Sequence, residues 1–104
     1  MNRPVLKTMA SGNLSLTITE DITWETFPDQ AADFVRKFNG IVLWRIDNGA
    51  DRIWIVLIKC RPFFLAFDDL PWEMTLDSMS RFCTPVLHKI HAELLAEAKS
   101  QTPL

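Results

Sequence analysis

Between Ile41 and Cys60 the chain reads IVLWRIDNGADRIWIVLIKC, two apolar runs on either side of Asp47-Asn48-Gly49-Ala50-Asp51. Runs rich in Val, Ile and Trp around an Asn-Gly turn signal an antiparallel hairpin. A four-residue loop at 48–51 sets Asp47 opposite Arg52, Ile46 opposite Ile53 and Arg45 opposite Trp54. A two-residue loop would instead oppose Arg45 to Arg52, which like-charge repulsion disfavours. Both strands are apolar on both faces: Val42, Trp44 and Ile46 alternate with Ile41 and Leu43, and Trp54, Val56 and Ile58 with Ile53, Ile55 and Leu57. Strands that are apolar on both faces need cover on both sides.

The flanking segments supply some of that cover. NLSLTITE, from Asn13 to Glu20, alternates Leu14, Leu16 and Ile18 with Ser15, Thr17 and Thr19 and reads as a half-buried strand. The period then changes, with Phe27, Ala31, Phe34, Val35 and Phe38 at helical spacing. Pro28 suits a first turn, Arg36 and Lys37 suit the negative end, and Asn39-Gly40 provides a left-handed stop, which predicts a short helix over about 28–39. A further strand, Phe63–Phe67, follows Arg61-Pro62 and ends at Asp68-Asp69, with Pro71 turning the chain. Residues 1–12 show no sustained periodicity and read as a loose arm before a single domain over 13–104.

In the last segment Leu76, Met79, Cys83, Val86, Leu87, Ile90 and Leu94 project onto one stripe of about 100°. Pro85 falls on the opposite side, so the stripe predicts one long helix over about 75–99, bent at Pro85. The competing reading is two helices, with Thr84 as N-cap and Pro85 in the first turn. The order β-α-β-β-β-α implies an α+β fold, a four-stranded, mainly antiparallel sheet with both helices on one face.

Composition excludes several classes. With 104 residues, 48% hydrophobic and 23% charged, the chain is one ordinary globular domain and is far from a disordered composition. A net charge of −2 and scattered bases argue against nucleic acid as a partner, although folding could gather Arg45, Arg52 and Arg61 on one sheet face. The apolar run Ile53–Ile58 is far shorter than the ~20 residues that span a bilayer. The N-terminal stretch lacks the apolar centre of a secretory signal, so the expected location is cytoplasmic, with Cys60 and Cys83 reduced.

The chemistry-bearing residues are few. Asp68, Asp69 and Glu73, with Asp77 beyond them, could surround a divalent cation, but their spacing matches no EF-hand loop. Carboxylates that end a strand and open a helix are the better account of them. His88 and His91 lie one helical turn apart, and Cys83 precedes them, yet the three point in different directions on a helix and do not converge. Cys60, between Lys59 and Arg61, is the better-placed thiol for reactivity, but no GxSxG, HExxH or glycine-rich phosphate loop is present. Trp24 and Trp72 lie outside the expected strands, next to acids, where they are free to serve an edge or an interface.

The surplus of apolar strand surface therefore carries the functional expectation. Two helices cover one face of a four-stranded sheet, and the second face would leave an exposed apolar patch, expected at Leu43, Trp54, Val56 and Ile58, with Trp72 beside it. The expected function is a non-catalytic module without cofactor that self-associates as a homodimer through that face and binds a protein partner. The alternative is a small-ligand or divalent-metal-binding domain, extending to an enzyme, built on Asp68, Asp69 and Glu73 with His88 and His91.

Overall fold

The computed structural model describes residues 4–47, 51–69 and 72–100. Six strands form one antiparallel sheet: β1 (Val5–Thr8), β2 (Leu14–Thr19), β3 (Ile41–Asp47), β4 (Arg52–Ile58), β5 (Arg61–Asp69) and β6 (Trp72–Ser78), in the spatial order β1-β2-β6-β5-β4-β3. Helix α1 (Phe27–Lys37) connects β2 to β3, and α2 (Thr84–Ser100) follows β6 after a single 3-10 turn at Arg81–Cys83. The α+β class is as expected, but the sheet has six strands rather than four.

The first extra strand is β1, where the sequence suggested a loose arm. Val5–Thr8 pairs with β2, so that Leu6 sits opposite Leu16 and packs against the core. Its signal is weak because four residues are too few to establish a period.

The second is β6, which occupies the first turns of the expected long helix. By register Met74, Leu76 and Ser78 lie on the core side and Glu73, Thr75 and Asp77 on the other, where Glu73 and Thr75 are buried as well. Leu76 and Met79 also fit a helical stripe, which is how a strand and a helix merged in the projection. The Ser78 hydroxyl accepts from the Leu14 N–H at 3.0 Å and donates to the Leu14 carbonyl at 3.1 Å, closing β6 against β2. Pro85 does not bend a long helix; it lies in the first turn of α2, where its missing N–H has no intrahelical role.

The β3–β4 hairpin pairs as the charge argument requires: Arg45 with Trp54, Ile46 with Ile53 and Asp47 with Arg52. The loop residues themselves, 48–50, lie outside the described residues. The turn joining β4 to β5 is two residues long, with Lys59 and Cys60 both at positive φ (52° and 63°), the conformation of a type I′ hairpin. Strand β5 does not stop at the acids, since Asp68 and Asp69 pair with Glu73 and Trp72 across the β5–β6 hairpin. Pro71, expected to turn the chain, lies outside the described residues.

Both helices lie on one face. Phe27, Ala31, Phe34 and Val35 of α1 and Leu87 and Ile90 of α2 join Leu16, Trp54, Val56, Ile58, Phe63, Leu65, Met74 and Leu76 in one core. Helix α1 packs beside β3 and α2 beside β2, so each covers about half the sheet. Lys37 and Glu97 form an ion pair between the helices at the surface, where such a pair contributes little.

Asn39 takes the left-handed conformation that ends α1 (φ 56°), and Gly40 brings the chain back against the sheet. A Cβ on Gly40 would lie 2.8 Å from the Leu57 carbonyl oxygen and 3.1 Å from a Val35 methyl. Because a backbone atom is in the way, Gly40→Ala is expected to destabilise the domain by about 1–3 kcal/mol, read as a lower urea midpoint with unchanged m.

Candidate functional site: the open sheet face

Side chains alternate across a pleated sheet, so each core row has a counterpart on the other side. Trp54, Val56 and Ile58 are at most 2% exposed beneath the helices. They cannot form the open face as expected from the sequence; the parity is the reverse. Among the described residues no helix packs on the other side of β4, where Ile53, Ile55 and Leu57 point.

Register fixes the neighbours of these three. Ile55 lies opposite Trp44 on β3 and Phe64 on β5, Ile53 opposite Ile46 and Ala66, and Leu57 opposite Ile41 and Pro62. Trp44 is 65% exposed and Ile41 58%. The register shifts between Val42 and Trp44, and Leu43 is the extra residue of this bulge, its side chain also exposed. A cavity of about 350 Å³ is lined by Val42, Leu43, Trp44 and Arg45 along this outer edge. Of the five residues the sequence singled out, Leu43 and Trp72 are exposed, Trp72 on the helix side of the sheet, while the residues that line the side away from the helices are exposed Trp44 and Ile46 and half-buried Ile53, Ile55 and Phe64. Their signal was present as strand alternation, but alternation alone does not say which parity the helices cover.

Beyond β5 the same face turns polar. Asp77 lies opposite Phe64 and Ser15, Thr75 opposite Ala66 and Thr17, and Glu73 opposite Asp68. This face is thus divided along its middle, with β3, β4 and most of β5 apolar and β6, β2 and β1 carrying Asp77, Glu73, Thr75, Thr17, Ser15 and Lys7 beside an exposed Val5; Thr17, Glu73 and Thr75 are buried. Burial pushes the Asp77 carboxyl above its ordinary value, against the lowering effect of hydrogen bonds from Ser15 (Oγ to Oδ1, 2.5 Å) and Thr75, and Asp68 adds repulsion.

A raised carboxyl pKa means that the folded state holds this proton more tightly than the unfolded chain. The stabilisation it gives is complete below about 3.8, the ordinary value, and is lost as pH rises through the folded pKa. Asp77→Asn, which is neutral throughout, is therefore expected to show a smaller fall in Tm than the parent when pH is raised from 3.5 to 7.

At one end of the sheet Trp24, Phe67 and Trp72, with Thr23 and Glu25, line a cavity of about 340 Å³. The Arg52 guanidinium stacks on Trp24 at 4.2 Å and Arg45 on Trp54 at 4.6 Å. The buried Arg52 Nε and Trp54 Nε1 have no hydrogen-bond acceptor among the described residues, being packed against ring faces and edges instead. Arg61 lies at the other end of the hairpin, stacked on Phe82 at 3.9 Å. Six residues of strand, about 20 Å, separate it from Arg52, so the three arginines form no continuous basic stripe.

The remaining candidates stay apart. Asp68 stands opposite Glu73, while the Asp69 side chain lies outside the description, and no group of three metal-ligating side chains converges among the described residues. His88 is exposed, whereas His91 Nε2 lies 3.3 Å from the Pro4 carbonyl, pinning α2 to the start of β1. Cys83 is buried with its thiol donating to the Pro62 carbonyl at 3.2 Å, and Cys60 is exposed in its turn. No described helix is long and apolar enough to cross a membrane. Comparison with protein-family models, with curated proteins and with solved structures finds no match to this chain.

Proposed function

We propose that this chain is a non-catalytic docking module whose partner surface is the apolar half of its open sheet face. The observation that carries the reading is the contiguity of Ile41, Trp44, Ile46, Ile53, Ile55, Leu57 and Phe64 on three adjacent strands, on the side away from both helices. Ile41, Trp44 and Ile46 are exposed and the other four half-buried, and apolar patches left in water mark interaction surfaces because a partner recovers the free energy that their exposure costs. Strand β1 (Val5–Thr8) extends the sheet beyond β2 and so does not itself lie over β3–β5.

In the absence of another partner, two copies close these faces on each other. Three strands at about 4.8 Å spacing and seven residues at about 3.3 Å make a footprint of roughly 330 Å². Standard interfaces bury about 800 Å² per partner. The homodimer is accordingly weak and reversible, which keeps the face open to other proteins.

Sedimentation velocity from about 1 to 200 μM tests this: the weight-average coefficient rises with concentration, and Ile55→Asp abolishes the rise. A monomer over the whole range, or a dimer that Ile55→Asp leaves intact, would sink the proposal.

A further inference from the structure

We infer that Trp24, Glu25, Phe67 and Trp72 form a binding site for a quaternary ammonium group, on the helix side of the sheet and separate from the open face.

Three segments build it. Phe67 lies opposite Met74 on β6 and Arg52 on β4, in the row that continues Phe63 and Leu65, and Trp72 shares the parity of Met74 and Leu76. The loop between β2 and α1 carries Trp24 and Glu25 over the same end of the sheet, where with Thr23 they complete the lining of the cavity of about 340 Å³. That loop is locked in place. The Thr23 N–H donates to the Thr26 hydroxyl oxygen at 2.9 Å, the Thr26 N–H donates to that of Thr23 at 3.2 Å, and Gln30 Nε2 donates to the Asp21 carbonyl at 3.1 Å. Trp24 and Glu25 stand between the two threonines, so the wall is formed before a ligand arrives and binding carries little ordering cost.

Shape excludes a flat ligand. The Trp24 and Phe67 rings stand at 79° with their centroids 6.0 Å apart. Rings at near right angles make a corner, which suits a compact round group, whereas a planar heterocycle needs parallel plates. The volume lies near the lower end for ligand sites, about 300–1,000 Å³, and fits a head group.

Charge selects a cation. The lining holds one carboxylate, that of exposed Glu25, and no base, and Glu25 forms no ion pair among the described residues. The faces of Trp and Phe rings attract a cation whose centre comes within about 6 Å of the centroid. The molecule already uses Trp24 in this way: the Arg52 guanidinium stacks on it at 4.2 Å, outside the cavity lining, with Asp47 at 3.9 Å offsetting part of its charge. A primary ammonium brings three N–H donors, which ring faces satisfy poorly; a fully alkylated one brings none.

The test titrates the full chain with tetramethylammonium, with choline, and with the neutral isostere of choline in which a quaternary carbon replaces the nitrogen. Binding is followed by the indole N–H resonances in NMR spectra. Both cations are expected to shift the Trp24 and Trp72 resonances saturably at millimolar concentration and to leave Trp44, on the open face, unmoved. The neutral isostere should bind roughly tenfold more weakly than choline. Trp72→Ala and Glu25→Lys, both at exposed positions where the fold tolerates change, should each weaken choline binding roughly tenfold, while Ile55→Asp leaves it unchanged.

Free solutes and methylated side chains both carry this group. A short peptide bearing trimethyllysine, set against the same peptide with unmodified lysine, separates them. Binding tighter than choline, and lost without the methyl groups, assigns a protein source; binding no tighter than choline assigns a free solute. Equal binding of choline and its neutral isostere overturns the cation assignment. An absence of saturable shifts, or shifts that survive both Trp72→Ala and Glu25→Lys, overturns the site.

Discussion

Val56→Asp is expected to leave no folded domain, whereas Ile55→Asp, one residue earlier on the same strand, is expected to fold and to lose self-association. Val56 is fully buried among the side chains of the core. A carboxylate there would be an uncompensated buried charge, a fault that costs about 3–5 kcal/mol or more. That is comparable to the whole stability of a domain of this size, about 5–15 kcal/mol. Ile55 points the other way, between Trp44 and Phe64 on the open face, where water reaches it. Its replacement should shift the urea midpoint by less than the equivalent of about 1.5 kcal/mol. Far-UV circular dichroism and sedimentation on the two variants decide the parity of β4. A folded Val56→Asp or an unfolded Ile55→Asp would reverse the assignment of faces on which the docking surface depends.

Phe27→Ala is expected to cost about 3–5 kcal/mol, the range for removing a buried aromatic ring from a packed core. Phe27 is the first residue of α1 and fully buried, edge-on to Trp54 at 5.5 Å and near Phe67 at 6.0 Å between ring centroids. It therefore anchors the helix to β4 and β5 at once. Helix α1 is only 11 residues long, too short to hold its shape in water without that anchoring. The loss should appear as a lower denaturation midpoint and weaker protection of α1 amides from hydrogen exchange. Trp72→Ala, at an exposed corner, serves as the control and should move the midpoint by much less. Equal effects of the two substitutions would mean that the ring cluster around Phe27 is not the structural anchor.

Local chemistry made α1 and the β3–β4 hairpin legible in the chain. The phenylalanine stripe, Pro28 in the first turn, the left-handed Asn39 and the charges at Asp47 and Arg52 each act over a few residues, and each is found as expected. The region from Trp72 to Ser100 misled because its residues satisfy two periods at once. Leu76 and Met79 extend the stripe of α2, while Met74, Leu76 and Ser78 alternate as a strand. What decides between them is the edge of β5, whose backbone groups need a partner strand and find one in β6. An open β5 edge is invisible to a reading of β6 alone.

The candidate site divides in the same way. The excess of apolar strand surface, and hence the expectation of an uncovered patch, was determined by the sequence through side-chain types and alternation. The identity of the patch was not, because Trp54-Val56-Ile58 and Ile53-Ile55-Leu57 are equally apolar and a pattern of period two is unchanged by a one-residue slip. Only the tertiary structure broke that symmetry. The helices packed on the side bearing Phe63, Leu65 and Leu76 and left to the other side the row in which Trp44, Ile55 and Phe64 meet Asp77. On β6 the two sides differ sharply in polarity, with Met74 and Leu76 against Glu73, Thr75 and Asp77, and the more apolar side is the one preferred beneath the helices. That preference passes through the sheet register to β4, whose own residues record none.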